Sequence, residues 1–188
     1  MKDNEKMKNE KKPKKEKKTG DMLIASFQVD HTRIMPGIYV SRQDRVNGVF
    51  VTTFDVRMKR PNVEPAINPG AMHTIEHVVA TYLRNSKFRD HVVYWGPMGC
   101  LTGFYFIAAT ESEIGSREIE PLLRDAFRYQ ARFTGDVPGA TAVNCGNHLL
   151  HNLPMARYEA KAFLAREWKF DYPKSRRVKV GKRIFFDA

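Results

Sequence analysis

Two imidazoles and a carboxylate fall within five consecutive residues, His73-Thr74-Ile75-Glu76-His77. On a helix, residues four apart lie one above the other, and Glu76 neighbours both histidines. Neutral imidazole binds zinc, iron or cobalt, and a catalytic site for such a metal needs three protein ligands plus an open position. The arrangement is H-x-x-E-H, the reverse of H-E-x-x-H. It predicts a divalent-metal helix with a carboxylate at its edge, in competition with the plainer alternative of three polar side chains on a solvated face. The motif leaves the third ligand, and therefore the reaction, open. A thiolate ligand with a second thiolate as base points to different chemistry from a set of histidines and carboxylates.

The chain has two cysteines. Cys145 sits in Val143-Asn144-Cys145-Gly146-Asn147, where a small neighbour lets backbone approach closely. Cys100 ends the tight turn Pro97-Met98-Gly99-Cys100 and can project into a cleft. A metal nearby lowers a thiol pKa and yields a thiolate usable as a general base. Either cysteine alone reads equally well as a buried apolar side chain. Arg57 could pin an anionic or hydroxyl-rich ligand, although a solvated strand arginine is the commoner arrangement.

The elements that must hold these groups follow from patterning. Residues 23–29 predict a short strand, with a further extended piece around residues 38–40. Over residues 48–58, Phe50, Phe54, Val56 and Met58 share one face while Thr53, Asp55 and Arg57 share the other, so one face packs and the other is polar. Pro61, Pro65 and Asn68-Pro69-Gly70 make a loop that ends at the metal helix, expected over residues 71–85. Residues 92–95 and 104–109 predict buried strands. Residues 116–133 form an amphipathic helix, and a last helix runs over residues 152–168. Strands and helices mix without regular βαβ alternation, which predicts an α+β fold with a mainly antiparallel sheet packed with helices.

At 188 residues the length suits one domain. The net charge of +11 resides in the tails: residues 1–20 hold nine Lys against four acids, and residues 173–188 hold six Lys or Arg against one Asp. Residues 21–172 keep about +1, so the body is nearly neutral and no specific nucleic-acid partner is expected. Residues 1–20 carry almost no apolar side chain and read as a disordered Lys-rich extension, residues 21–172 as a single domain, and residues 173–188 as a basic C-terminal tail. No apolar run reaches the length of a membrane span or a signal core. A cytoplasmic location with free thiols is the expectation.

Five blocks together resemble the S-ribosylhomocysteine lyase family, the synthase of the autoinducer-2 precursor in quorum sensing. They are Ser26-Phe27-Gln28-Val29-Asp30-His31, Phe54-Asp55-Val56-Arg57, His73-Thr74-Ile75-Glu76-His77, Pro97-Met98-Gly99-Cys100-Leu101-Thr102-Gly103-Phe104-Tyr105 and Cys145-Gly146-Asn147-His148-Leu149-Leu150-His151-Asn152-Leu153. They fall in the family's order and spacing across residues 22 to about 168. The resemblance implies His73, His77 and Cys145 as ligands of one divalent metal per subunit, usually Fe2+, which Zn2+ or Co2+ can replace. It implies Glu76 and Cys100 as the acid/base pair, and Ser26, His31, Arg57 and Arg84 as substrate-binding residues. It further implies a homodimer with both active sites at the subunit interface.

The implied reaction releases homocysteine and 4,5-dihydroxy-2,3-pentanedione from S-ribosylhomocysteine, in the activated methyl cycle. Carbonyl migration along the ribose makes a proton acidic and places the sulfur beta to the carbonyl, after which β-elimination breaks the C–S bond. Leu101 stands where many members carry a polar residue, and Tyr94-Trp95-Gly96 is expected to add bulk beside the homocysteine end. The competing enzyme class is an inverted-motif zinc metallopeptidase, with a downstream carboxylate such as Glu111, Glu113, Glu118 or Glu120 as third ligand. A basic nucleic-acid or membrane-surface module would account for the tails and leave the five blocks unexplained.

Overall fold

The computed structural model describes residues 29–173. Ser26, the Lys-rich extension 1–20, the strand expected over residues 23–29 except its last residue, and the basic tail beyond Pro173 lie outside them.

The chain runs β1 (Gly37–Val46), β2 (Val49–Arg57), α1 (Pro69–Arg84), a 3-10 turn (Arg89–His91), β3 (Val92–Pro97), β4 (Gly103–Thr110), α2 (Ser116–Arg132) and α3 (Leu153–Leu164). The four strands form one antiparallel sheet in the order β1-β2-β4-β3, so the fold is α+β as expected. Val46 pairs with Val49, leaving Asn47-Gly48 as a two-residue loop with φ of 49° and 87°. Those left-handed values suit asparagine and glycine, and such a turn twists with its strands. The Asn-Gly pair is the signal that extends β1 well beyond residues 38–40.

One sheet face carries Ile38, Phe54, Val56, Phe104, Phe106 and Ala108, all buried against the helices. Ile75, Val79 and Leu83 of α1, Leu123 and Phe127 of α2, and Ala160 and Phe163 of α3 complete this core. Asn68 caps α1, its Oδ1 accepting from the Gly70 and Ala71 N–H groups at 3.0 and 3.2 Å. Pro69 then takes the first helical position, where its missing N–H costs nothing. The helix therefore begins two residues before Ala71.

One expectation is corrected, and the commoner alternative for Arg57 is set aside. The last helix ends at Leu164 and does not reach Trp168. Trp168 instead folds back, donating from Nε1 to the Phe163 carbonyl at 2.8 Å and stacking on the Phe163 ring at 4.3 Å, so it is buried without being helical. The polar face of β2 is not solvated either: Asp55 is 3% exposed and Arg57 2%. Tyr39 of β1 and Tyr172, stacked at 4.5 Å, cover it, and the two charges neutralise each other there. Among the described residues, no helix is long and apolar enough to cross a membrane.

Candidate metal centre and thiolate site

α1 presents His73 and His77 on one face, one turn apart, and the segment between α2 and α3 brings Cys145 to them. His73 Nδ1 lies 2.8 Å from the Leu150 carbonyl, and His77 Nδ1 lies 2.7 Å from the Pro138 carbonyl. A carbonyl only accepts, so both Nδ1 atoms carry the proton and both Nε2 atoms expose a lone pair. Such backbone anchors fix the tautomer and the aim of metal-ligating histidines. The Cys145 sulfur is 3.3 Å from His73 Nε2 and accepts the Asn147 N–H at 3.4 Å. That spacing is near the roughly 3.5 Å edge expected between ligands of a tetrahedral metal with bonds of about 2.0–2.3 Å. A mixed imidazole and thiolate set suits zinc, cobalt or ferrous iron. The donors therefore fit a single divalent metal.

The group has a fourth member. His151 stacks on His73 at 4.2 Å and meets His77 edge-on at 4.9 Å, and one ligand atom from each of His73, His77, Cys145 and His151 lies within 4.8 Å of the others. Sequence reasoning gave His151 no role. Its only signal is position, six residues after Cys145 and directly before the cap of α3.

A second group forms on the covered face of the sheet. Arg57, the last residue of β2, points Nη1 at the Cys100 sulfur at 3.6 Å and at Thr102 Oγ1 at 2.6 Å. Thr102 Oγ1 accepts from Arg57, which frees its hydrogen to donate to the Cys100 sulfur at 3.1 Å. Partial burial of that sulfur is the largest single influence and raises its pKa, but the Thr102 hydroxyl and backbone together with Arg57 outweigh it. Cys100 is thus held below the ordinary thiol range, as a nucleophile or base must be. Asp55 receives Arg57 at 3.1 and 2.6 Å, and the Tyr172 hydroxyl donates to Asp55 Oδ2 at 3.0 Å. Leu101 takes φ +55° in the turn and accepts the Ile67 N–H at its carbonyl, one residue before the cap of α1. This ties the Cys100 turn to the start of the metal helix.

The family profile of S-ribosylhomocysteinase (LuxS) matches residues 24–172. The chain belongs to the S-ribosylhomocysteinase (LuxS) family. Among its relatives, the S-ribosylhomocysteine lyase of Phocaeicola vulgatus is 55% identical over 142 residues, 75% of this chain and 87% of that protein. That of Porphyromonas gingivalis is 52% identical over 157 residues, 80% of this chain and 98% of that protein. That of Clostridium beijerinckii is 53% identical over 142 residues, 75% of this chain and 88% of that protein.

In this member of the S-ribosylhomocysteinase family, the remaining candidates lie as follows. Glu76 is half-buried on α1 between the two histidines in sequence. His31 lies half-buried in the turn that precedes β1. Arg84 is exposed at the end of α1 and donates to the Val92 and Val93 carbonyls at 3.3 and 3.2 Å. The bulk expected at Tyr94-Trp95-Gly96 turns inward at Trp95, which stacks on Phe104 at 4.7 Å within the core, whereas Tyr94 is exposed. Two of the four carboxylates a peptidase could draw on are engaged elsewhere. Glu118 caps the Gly115 N–H, Glu120 pairs with Arg124 at 2.6 Å, and Cys145 stands where a third carboxylate would be required.

Proposed function

We propose that the protein cleaves S-ribosylhomocysteine to homocysteine and 4,5-dihydroxy-2,3-pentanedione. The observation that carries this reading is the pairing of a His73, His77 and Cys145 metal-type group with a separate, activated Cys100 thiol. A divalent metal held by those three residues would supply Lewis-acid polarisation of the substrate carbonyl. Fe2+ is our assignment, with Zn2+ or Co2+ as working substitutes.

The chain's own groups divide the proton work. Cys100, as thiolate, removes the proton from the carbon beside the carbonyl and returns it one carbon along the sugar, so the carbonyl migrates. Glu76 carries protons between the neighbouring oxygens in the same steps. Once the sulfur is beta to the carbonyl, Cys100 takes the acidic carbon-bound proton. The electron pair forms the C=C bond, the C–S bond breaks, and homocysteine leaves as its thiolate and is protonated. The resulting enol isomerises to the diketone. No electron is gained or lost by the protein. Arg57 holds the Cys100 charge, and we assign Ser26, His31 and Arg84 to gripping the substrate.

We assign the protein to a homodimer with the active sites at the subunit interface. Val143 is 93% exposed and Leu149 84%, flanking Cys145 on both sides, and Tyr158 of α3 is exposed nearby in sequence. Apolar side chains bracketing a metal loop favour cover by a second subunit. The reducing cytoplasm suits Cys100 and Cys145, which are both free thiols.

The test is incubation of purified protein with S-ribosylhomocysteine while free thiol is followed, with and without a chelator. Thiol release that the chelator abolishes supports the reading; metal-loaded protein that releases none refutes it.

A further inference from the structure

His151 has one nitrogen accounted for and one that is not. Thr74 Oγ1 carries a single hydrogen, donated to the Gly70 carbonyl at 2.8 Å, and it accepts the Asn152 N–H at 2.9 Å. Its contact with His151 Nδ1 at 3.3 Å can therefore only be an acceptance, so Nδ1 of His151 bears the proton. Nε2 is left with a bare lone pair, buried and without a hydrogen-bond partner among the described residues. A buried, unpaired acceptor in a native protein calls for an occupant.

The surroundings say where that occupant belongs. The ring lies flat on His73 and edge-on to His77, beside the three groups assigned to the metal. A fourth permanent protein ligand would close the coordination shell, whereas a Lewis-acid catalyst keeps one position open. His73 and His77 are anchored through carbonyls at 2.8 and 2.7 Å, but among the described residues His151 has only the longer contact, 3.3 Å, to a hydroxyl. Its ring is seated less firmly than the two ligand rings, as suits a hydrogen-bond acceptor more than a metal ligand.

We propose that His151 is a substrate-binding residue: its Nε2 accepts a hydrogen bond from the group in the metal's open position, a water in the free enzyme and a hydroxyl of the open-chain sugar in the complex. Thr74 is then a positioning residue that fixes the tautomer. The proposal rests on the lyase reading above and adds to it a contact that selects a hydroxylated ligand.

The test uses cobalt-loaded protein, because the visible bands of Co2+ report its ligands directly. Two variants, His151→Phe and His151→Gln, are made with the His151 parent, all in a Cys100→Ala background so that substrate binds without turnover. The expected result has three parts. All three proteins hold one cobalt per chain with the same bands. S-ribosylhomocysteine shifts the parent bands with an affinity at least tenfold tighter than in His151→Phe. His151→Gln, which keeps an acceptor, recovers part of that difference. Loss of cobalt or altered bands in both substrate-free variants would make His151 a ligand and overturn the proposal. Equal substrate affinity in His151→Phe and the parent would overturn it too, leaving His151 a packing residue. A parent that holds cobalt and shows no response to S-ribosylhomocysteine overturns the lyase reading itself, and this proposal with it.

Discussion

Asp55 grips Arg57 through both carboxylate oxygens, at 3.1 Å from Nε and 2.6 Å from Nη2, and so leaves Nη1 as the nitrogen that faces Thr102 and Cys100. The carboxylate and the thiol are both anions in waiting, yet the carboxylate supports the thiolate by holding the cation between them. Tyr172, whose phenol is pushed up by burial and then by Asp55, stays protonated and donates to Asp55 Oδ2. Burial, followed by Asp55, likewise pushes Tyr39 up to about 12, so the aromatic cover over the pair is uncharged.

Replacing Asp55 by asparagine sets two effects against each other. Removing a negative charge would by itself lower the Cys100 pKa, whereas releasing Arg57 from its grip would raise it. In the structure the Arg57 contact to sulfur is already long, at 3.6 Å, and depends on aim. We expect Asp55→Asn to raise the Cys100 pKa, read from the ultraviolet absorbance of the thiolate against pH. A fall would mean that charge alone governs the site. The same variant leaves a buried guanidinium unpaired, which costs about 3–5 kcal/mol of stability by denaturant titration.

The pH dependence of turnover follows from the direction of the Cys100 shift. Its pKa lies below the ordinary thiol value, so a larger share is thiolate at neutral pH than in an ordinary thiol, and activity is lost as pH falls through the folded-state value. The linked stability has the same sign: it is present above the unfolded thiol pKa and disappears as pH falls through the folded one. Thr102→Ala removes the hydroxyl that donates to the sulfur. The acid limb of kcat/KM should then move to higher pH, and an unmoved limb would separate Thr102 from the thiolate.

The cysteines should divide cleanly by metal content. Cys145→Ala is expected to lose most of its bound metal by elemental analysis, because a three-ligand site tolerates loss of its only thiolate poorly. Cys100→Ala should keep stoichiometric metal and lose thiol release by at least a hundredfold. Stoichiometric metal in the first variant, or near-wild-type turnover in the second, would reverse these roles.

What the sequence made legible was local. Asn68-Pro69-Gly70 marks the start of α1, and the H-x-x-E-H spacing puts His73 and His77 on one face of it, as found. Alternation identified the two faces of β2 but could not show that Tyr172, 117 residues from Asp55, covers the polar one. A period-2 pattern says which side chains share a face, and only the tertiary fold says whether water reaches it. His151 was hidden for a similar reason. Its tautomer is set by Thr74, 77 residues away, and its neighbours come from α1. Trp168 continued the apolar spacing of α3 and was read as helix, although its burial comes from folding back on Phe163.

Gly103 supplies the last prediction, because it faces Arg57 across the sheet. A side chain there would begin 2.3 Å from the Val56 carbonyl oxygen and 3.0 Å from the Arg57 Cα, both backbone atoms that cannot rotate away. Gly103→Ala must therefore push β2 and β4 apart at the point where Arg57 leaves the sheet. Overpacking of this kind costs about 1–3 kcal/mol, read as a lower denaturant midpoint. The displaced Arg57 should also let the Cys100 thiol drift up toward its ordinary pKa, slowing alkylation of Cys100 at neutral pH. Unchanged alkylation in a destabilised Gly103→Ala protein would mean that Thr102 holds the thiolate without help from Arg57.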